Sequence, residues 1–434
     1  MIISSLVLLS ALAQGSPVQI EAFKRNLDGS TGQSTSSSIH SSISQIEADV
    51  QRTSYTPVHI FVQSEGIPSH AIGPWPGNPN MATAKGWSFL LPINPIEQTG
   101  TKTATGLGSI GVMINGVPMF NAKDARTYQN RGVWFQNAIY WEGSSMDTGM
   151  GHPAPGGNYH YHQIPDSLVT QTGDTPQYHS SIIGFAFDGF PVYGPYAYAN
   201  ANGTGPIVRI ESSYGLRNIT DRHTLPDGTV LSQSDWGPAI NSNFPLGAYN
   251  EDYEYVANLS QLNEFNGRFC ATPEYPQGTF AYFATRDANG QASYPYLVGP
   301  EYYGVVETGN LGPGGGHMTP PPSATDYTPF EIGLSQSTTG GSSQIAIDGA
   351  PSNSTVQLAY SLSGMNGIQS PYGVAALSVP IVVLPAVQSN SLGRATIPVS
   401  INPSRAGITV YMQAVANPGT ATGMLSLPER ITVL

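Results

Sequence analysis

The chain has 434 residues, of which 10% are charged, and its 16 basic residues leave a net charge of −12. Nucleic acids and anionic membranes are bound through basic surfaces, so this composition argues against both partners. The 49 glycines and 36 prolines favour short strands and tight turns over long helices, and 39% hydrophobic residues allow a sizeable core. We therefore expect a mainly β protein of two or three domains.

The N-terminus resembles a secretory signal peptide. Residues 1–13 contain a short apolar run that ends in Ala11 and Ala13, although no basic residue precedes it. The run is too short to span a bilayer, and no later stretch has the length of a transmembrane helix. We therefore expect a secreted, extracellular protein. Its potential glycosylation sites, no more numerous than chance provides, are Asn202, Asn218, Asn258 and Asn353.

A Ser-rich stretch follows, and it has no sustained apolar period. We therefore interpret residues 14–56 as a flexible leader. Strand-like runs then occupy residues 58–62, 87–91, 110–114, 182–187 and 279–284, and the turn pairs Asn-Gly and Asp-Gly end two of them. Cys270, the single cysteine, has no intrachain partner and lies beside Phe269, which favours burial over an intermolecular disulfide. These runs predict a first folded domain over residues 57–306.

The segment Tyr-His-Tyr-His at residues 159–162 is the strongest chemical signal. Side chains alternate along a strand, so His160 and His162 share one face while Tyr159 and Tyr161 pack the other face into the core. His152 precedes them closely, although the whole chain has 9 histidines. Such clustering is what a metal site requires.

Three histidines and a carboxylate suit zinc, copper(II) or another late first-row ion. The oxygen ligand would come from Asp147, shortly before His152, or from Asp188, in the Asp-Gly turn at a strand end. The alternative is a polar network, in which the imidazoles bond to these carboxylates and to backbone carbonyls. For Asp188, the alternative is a turn-forming role beside Gly189.

A weak internal repeat is visible in the same domain. The pattern from Asp147 through His152 to residues 157–162 has an echo from Asn263 through Arg268 to residues 278–283. A second echo relates residues 190–195 to residues 294–300. The aromatic and Gly/Pro skeleton recurs, but the histidines are replaced. Either the domain contains a duplicated β unit with chemistry in one copy, or these are two unrelated Tyr-rich hairpins.

Beyond the first domain, the Gly/Pro-rich residues 307–324 predict a linker, in which we expect His317 to be solvated. Residues 325–434 then alternate apolar and polar residues in seven or eight short runs, which is typical of a β-sandwich. This second domain has no histidine or carboxylate cluster, so we expect a role in adhesion or packing.

The first domain resembles the secreted YHYH-domain family, which takes its name from the tetrapeptide. The resemblance rests on the segments 151–153, 157–162, 184–194, 265–268 and 272–276. It implies a secreted domain of short strands and loops, and it does not imply a reaction.

Two functional hypotheses follow from these observations. In the first, a non-catalytic secreted protein uses its metal or polar site to stabilise a domain associated with an extracellular matrix, wall or mineral. In the second, a metal-dependent extracellular enzyme acts on a glycan or small molecule. An enzyme keeps an open coordination position in a cleft, whereas a structural site is closed.

Overall fold

The computed structural model describes residues 18–432, except residues 27–28, 313, 329, 336–341, 371–372, 392, 401, 421–422 and 427. Residues 1–13, the predicted signal peptide, lie outside the described residues. The chain is mainly β, as predicted, and no helix in the described ranges is both long and apolar enough to cross a membrane. Its short α-helices are α1 (Val18–Glu21), α2 (Ser37–Ile43), α3 (Ala138–Glu142) and α4 (Asp166–Gln171).

The first eighteen strands are β1 (Val50–Tyr55), β2 (His59–Ser64), β3 (Trp87–Pro92), β4 (Ser109–Met113), β5 (Pro118–Phe120), β6 (Lys123–Thr127), β7 (Phe135–Asn137), β8 (Gly151–Pro153), β9 (Tyr159–Tyr161), β10 (Ile182–Ala186), β11 (Pro191–Tyr193), β12 (Tyr196–Tyr198), β13 (Ile207–Arg209), β14 (Tyr214–Leu216), β15 (Tyr253–Tyr255), β16 (Gly267–Cys270), β17 (Thr279–Phe283) and β18 (Thr325–Tyr327).

The central sheet has eight strands in the order β16-β17-β11-β10-β4-β5-β9-β8, and its two halves have the same topology. In each half a first hairpin, β4-β5 or β10-β11, is extended by a second, β8-β9 or β16-β17. In the first half β9 runs parallel to β5, and in the second half β17 runs parallel to β11. Strands β4 and β10 meet antiparallel at the centre. This internal two-fold relation favours the duplicated unit over two unrelated hairpins.

The sequences of the first hairpins support the same relation. Residues 111–120 are GVMINGVPMF and residues 184–193 are GFAFDGFPVY, so the Asn-Gly and Asp-Gly turns occupy equivalent positions. The predicted echo between residues 147–162 and 263–283 corresponds to the second hairpins, β8-β9 and β16-β17. The other echo is wrong, because residues 294–300 form turns and the counterpart of β11 is β5.

The predicted flexible leader, residues 14–56, is wrong for the residues that the structure describes. α1, α2 and β1 all lie in this stretch. Its apolar side chains join the same core as the central sheet, and they include Ile20, Phe23, Ile39, Ile43 and Val50. These residues are widely spaced among serines, so the sequence shows no apolar period, although each one has a buried partner in the fold. Cys270 is buried, as predicted.

The predicted linker, residues 307–324, is instead a strap along β3 in the part that the structure describes, residues 307–312 and 314–324. The Asn310 side chain donates to the Leu90 carbonyl at 2.6 Å and accepts from its amide at 2.9 Å. The Ser88 amide donates to the carbonyl of Gly316 at 2.7 Å. Gly316 has φ +78°, and a Cβ there would lie 2.7 Å from the Phe89 ring, so glycine permits this close approach. Its neighbour His317 is exposed, as predicted.

The strap leads into β18, which pairs with β1 in a sheet of order β18-β1-β2-β3. Residues 325–327 therefore belong to the first sheet system rather than to the C-terminal one. The remaining strands are β19 (Glu331–Ser335), β20 (Ser342–Asp348), β21 (Thr355–Ser361), β22 (Met365–Ser370), β23 (Gly373–Leu377), β24 (Val382–Val383), β25 (Val387–Gln388), β26 (Ala395–Ser400), β27 (Thr409–Ala416), β28 (Met424–Leu425) and β29 (Glu429–Thr432).

These C-terminal strands form a β-sandwich, as predicted. One sheet has the order β19-β20-β26, and the other has the order β24-β21-β27-β28 with β25 and β29 attached to β21 and β27. Alternate residues of β20, β26, β21 and β27 share one buried cluster, separate from the core of the central sheet. Independent folding of this part stays a prediction.

Candidate metal centre

The three histidines of the motif lie on the edge hairpin β8-β9. His160 lies in β9, His162 is the first residue after the end of β9, and His152 in β8 is the strand partner of His160. Tyr159 and Tyr161 point into the core from the other face, as predicted. The alternation along one strand therefore brings two imidazoles together, and the register of the hairpin adds the third.

The imidazoles form a buried cluster. The exposed fractions of His152, His160 and His162 are 3%, 2% and 2%, and one ligand nitrogen from each lies within 4.8 Å of the others. Phe120 at the end of β5 stacks on the His160 ring with 3.9 Å between ring centroids. Within the described ranges, this is the one group of three or more histidine, cysteine or acidic residues with ligand spacing.

Each Nδ1 atom of the cluster has a hydrogen-bond acceptor. His160 Nδ1 lies 2.9 Å from the Asn158 carbonyl, and His162 Nδ1 lies 2.6 Å from the Asn121 carbonyl. A carbonyl only accepts, so both Nδ1 atoms carry the proton. His152 Nδ1 lies 2.9 Å from the Ser145 hydroxyl. That hydroxyl donates its proton to the Glu142 carbonyl at 2.8 Å and therefore accepts from His152.

The Nε2 atoms consequently present lone pairs to one another. In a neutral imidazole with a protonated Nδ1, the Nε2 atom is an acceptor. His160 Nε2 and His162 Nε2 are 3.0 Å apart, with no proton left to place between them. His152 Nε2 is buried and has no hydrogen-bond partner among the described residues. The lone pairs of His160 and His162 that face each other with no hydrogen between them are repulsive on their own, and a metal ion would satisfy all three Nε2 atoms.

Protonation does not relieve this repulsion near neutral pH. Burial lowers the pKa of His152 to about 4 and that of His162 to about 3. Burial lowers the pKa of His160 well below its usual value, and the neighbouring imidazoles lower it further. All three rings are therefore neutral, which is the state in which histidine binds a metal.

Glu142 is the carboxylate beside the cluster, and sequence reasoning missed it. Its Oε2 atom lies 3.5 Å from His162 Nε2 and 3.8 Å from His152 Nε2, and its side chain is 29% exposed. Burial raises the pKa of Glu142 to about 7, the charge of Asp124 adds to this rise, and Arg126 opposes it. The carboxyl group is thus a potential fourth ligand, or a partner for a metal-bound water.

The short helix α3 places Glu142 at the cluster. The Asn137 side chain caps this helix by accepting from the amides of Ile139 and Tyr140. Since the next turn ends at Ser145, one segment supplies both the carboxylate and the hydroxyl that orients His152. A capping asparagine four residues before Trp141-Glu142 is a weak local signal, so no sequence feature distinguished Glu142 from the other acidic residues.

The predicted ligand Asp147 is not part of the cluster. Its carboxylate lies on the core side, where it accepts from the Tyr159 hydroxyl, the Trp75 indole and backbone amides that include Gly149 and Gly151. Asn263, its counterpart in the second half, accepts in the same way from two amides of its own loop. Asp147 therefore holds the loop before β8, and its prediction as a ligand is wrong.

The predicted ligand Asp188 is also absent from the cluster. It is fully buried in the β10-β11 turn and accepts from the Tyr282 hydroxyl at 2.5 Å, the Gly304 amide at 2.9 Å and the Phe190 amide at 3.2 Å. Asp188 therefore stabilises the β10-β11 turn, which is close to the turn-forming role that was the alternative to metal binding. Burial raises the pKa of Asp188 to about 6, although the three donors oppose that rise.

A family model described as YHYH protein matches residues 88–294. The matched segment contains the three histidines, Glu142 and both halves of the eight-stranded sheet. No curated protein and no solved structure matches the chain. The expected resemblance is thus confirmed for this segment, and residues 88–294 carry a YHYH family domain.

Proposed function

We propose that the YHYH domain binds one late first-row transition-metal ion, zinc or copper, through the Nε2 atoms of His152, His160 and His162. The observation that carries the proposal is the 3.0 Å separation between the unprotonated Nε2 atoms of His160 and His162. A purely hydrogen-bonded network, which is the alternative, has no hydrogen to place there. Neutral imidazoles are common ligands of both metals.

The role that we propose for the ion is non-catalytic. It stabilises the edge hairpin β8-β9 in a secreted protein associated with an extracellular polymer, wall or mineral. Support comes from the burial of the three rings and from their position on the last two strands of the sheet. The extracellular setting rests on the signal-like residues 1–13 and on the acidic composition.

Metal analysis of the purified chain tests this proposal. We expect about one equivalent of zinc or copper, lost in His162→Ala and retained in His223→Ala, a control at a half-exposed histidine outside the cluster. At a free metal concentration of about 100 times Kd, the ion adds about 2.7 kcal/mol to the free energy of unfolding. If the wild-type chain holds no ion and zinc and copper leave its Tm unchanged, the polar network is the better description.

A metal-dependent extracellular enzyme acting on a glycan or small molecule is the second candidate, and Glu142 favours it. This carboxylate is partly exposed and lies beside two of the proposed ligand nitrogens. In catalytic zinc sites, three protein ligands leave a fourth position for water. Glu142 would then accept a hydrogen bond from that water rather than close the site.

Cobalt(II) substitution separates the two roles. If the fourth position is open, azide shifts the visible absorption bands of the cobalt protein. If the Glu142 carboxylate fills the position, azide leaves the spectrum unchanged, and Glu142→Gln makes it sensitive. The first result supports an enzyme, and the second supports a closed, non-catalytic site.

A further inference from the structure

Among the described residues, the C-terminal sandwich is closely packed at one end and leaves a gap between its sheets at the other. Its filled end is closed by small and branched side chains that are 6% exposed or less, and these include Ile347, Val356, Ala395, Ala414 and Ala416. At the other end, where β21 and β26 finish and β27 begins, described residues of the two sheets line a half-open cavity of about 410 Å³. Paired sheets normally interdigitate their side chains without such a gap.

The cavity has an apolar floor and a polar mouth. The buried core residues Ile345, Leu358 and Met412 form the floor. The polar lining residues Ser400, Asn402 and Arg405 lie at and just after the end of β26. Ordered water needs two to four polar partners, which an aliphatic floor does not offer. The volume is within the usual range for sites that enclose a small molecule, about 300–1,000 Å³.

The mouth of the cavity carries a positive charge. Arg405 is the one charged residue among the described residues that line the cavity. It is exposed, and its guanidinium makes no ion pair with a carboxylate in the described part of the chain. A guanidinium binds a carboxylate with two parallel hydrogen bonds. An aliphatic floor below an unpaired guanidinium is complementary to a molecule with a hydrocarbon chain and an anionic head.

We propose that the C-terminal sandwich binds an aliphatic carboxylate, with the chain between the two sheets and the carboxylate at Arg405. This site is separate from the histidine cluster and uses none of its residues. It assigns a binding function to a domain for which the sequence suggested adhesion or packing.

Titration calorimetry of the full chain with decanoate tests the proposal, with decan-1-ol as the neutral comparison. We expect one decanoate per chain. Val399→Phe, which adds volume to a lining residue, should weaken binding at least about tenfold. Val383→Phe, at an exposed position of β24, should leave it unchanged. Arg405→Ala should weaken decanoate about tenfold and leave decan-1-ol unaffected, and Arg405→Lys should restore part of the loss.

Thermal melting first establishes that Val399→Phe is folded, and the exposed Arg405 variants test the site without changing the core. Three results would overturn the proposal. The first is no binding at up to about 1 mM decanoate. The second is equal binding by the wild-type and Val399→Phe chains, which indicates an adventitious surface site. The third is a dimer that covers the opening and binds no decanoate. If decanoate and decan-1-ol bind equally and Arg405→Ala changes neither, the carboxylate assignment is wrong.

Discussion

At the scale of single residues, the hydrogen bonds of the Nδ1 atoms determine what the Nε2 atoms can bind. Two backbone carbonyls and one hydroxyl accept from the three imidazoles. Such acceptors fix both the tautomer and the ring orientation of metal-binding histidines. The Ser145 hydroxyl is the one side chain among these acceptors, so a substitution can remove it. The same substitution removes the hydrogen bond that this hydroxyl donates to the Glu142 carbonyl.

We therefore predict that Ser145→Ala lowers the metal affinity about 10–100-fold, as removal of an outer hydrogen-bond partner does in other metal sites. His152 loses the acceptor that holds its proton on Nδ1. Competition with a coloured chelator measures the affinity. Ser145→Thr, which keeps the hydroxyl, should restore most of it. Equal affinities in the Ser145→Ala and wild-type chains would mean that the backbone alone orients His152.

At the scale of elements, the two halves of the central sheet are alternative versions of one unit. The positions of His160 and His162 in β8-β9 are occupied by Ala281 and Phe283 in β16-β17, and both of these are fully buried. The position of Asn115 in the first turn is occupied by Asp188 in the second. The same backbone thus accepts an apolar or a polar set of side chains at equivalent places.

The replacement of His160 and His162 by Ala281 and Phe283 in the second half predicts that the His160→Ala, His162→Phe double variant folds but no longer binds metal. The change leaves the buried Asn121 carbonyl without its imidazole donor, which costs about 1–3 kcal/mol. Circular dichroism melting with a chelator measures the stability, and metal titration measures binding. A double variant that does not fold, even with metal present, would show that the histidines are part of the scaffold.

The second comparison predicts the effect of pH on Asp188→Asn, which copies Asn115. In the wild-type chain burial raises the pKa of Asp188 to about 6, above its ordinary value of 3.8, so between these pH values the folded state holds a proton that the unfolded state has released. Stability therefore falls as the pH rises from about 4 to about 6, by on the order of 3 kcal/mol. The variant lacks this titration. Urea unfolding across the range should show a smaller slope in the variant, and identical slopes would contradict the prediction.

At the scale of the whole molecule, segments that are distant in sequence complete the first sheet. Strand β1 comes from the Ser-rich stretch and β18 follows the strap, and the two strands pair. The strap is held on β3 by two hydrogen bonds of the Asn310 side chain, which is 3% exposed, and by two backbone hydrogen bonds of Ser88. The Gly/Pro-rich composition therefore serves close backbone packing here rather than flexibility.

We predict that limited proteolysis leaves residues 309–323 uncut in the wild-type chain. A protease needs a locally unfolded segment, and the strap is bonded to β3. Asn310→Ala removes both side-chain bonds to Leu90 and should produce new cleavage in this segment. Asn289→Ala, in an exposed turn, is the control. Rapid cleavage of the wild-type chain between residues 309 and 323 would restore the interpretation as a linker.

Local patterns were sufficient for some features of this protein. Strand alternation alone places His160 and His162 on one face and Tyr159 and Tyr161 on the other, because the side-chain period of a strand is a property of the backbone. The mainly β fold was predicted from the short strand-like runs and from the turn pairs at residues 115–116 and 188–189. The sandwich was predicted from the alternating C-terminal runs. Both predictions rest on backbone geometry that is read locally. The repeat was visible because the second hairpins of the two halves share an aromatic and Gly/Pro skeleton.

Tertiary structure alone decided the remaining features. Near the motif, Asp147 is closer in sequence than Glu142, yet Asp147 faces the core and Glu142 faces the imidazoles. The Ser-rich stretch and the strap pack on the sheets although neither shows an apolar period. In each case the outcome depends on which distant surface the segment meets, and burial and hydrogen bonding to that surface leave no periodic trace in the segment itself.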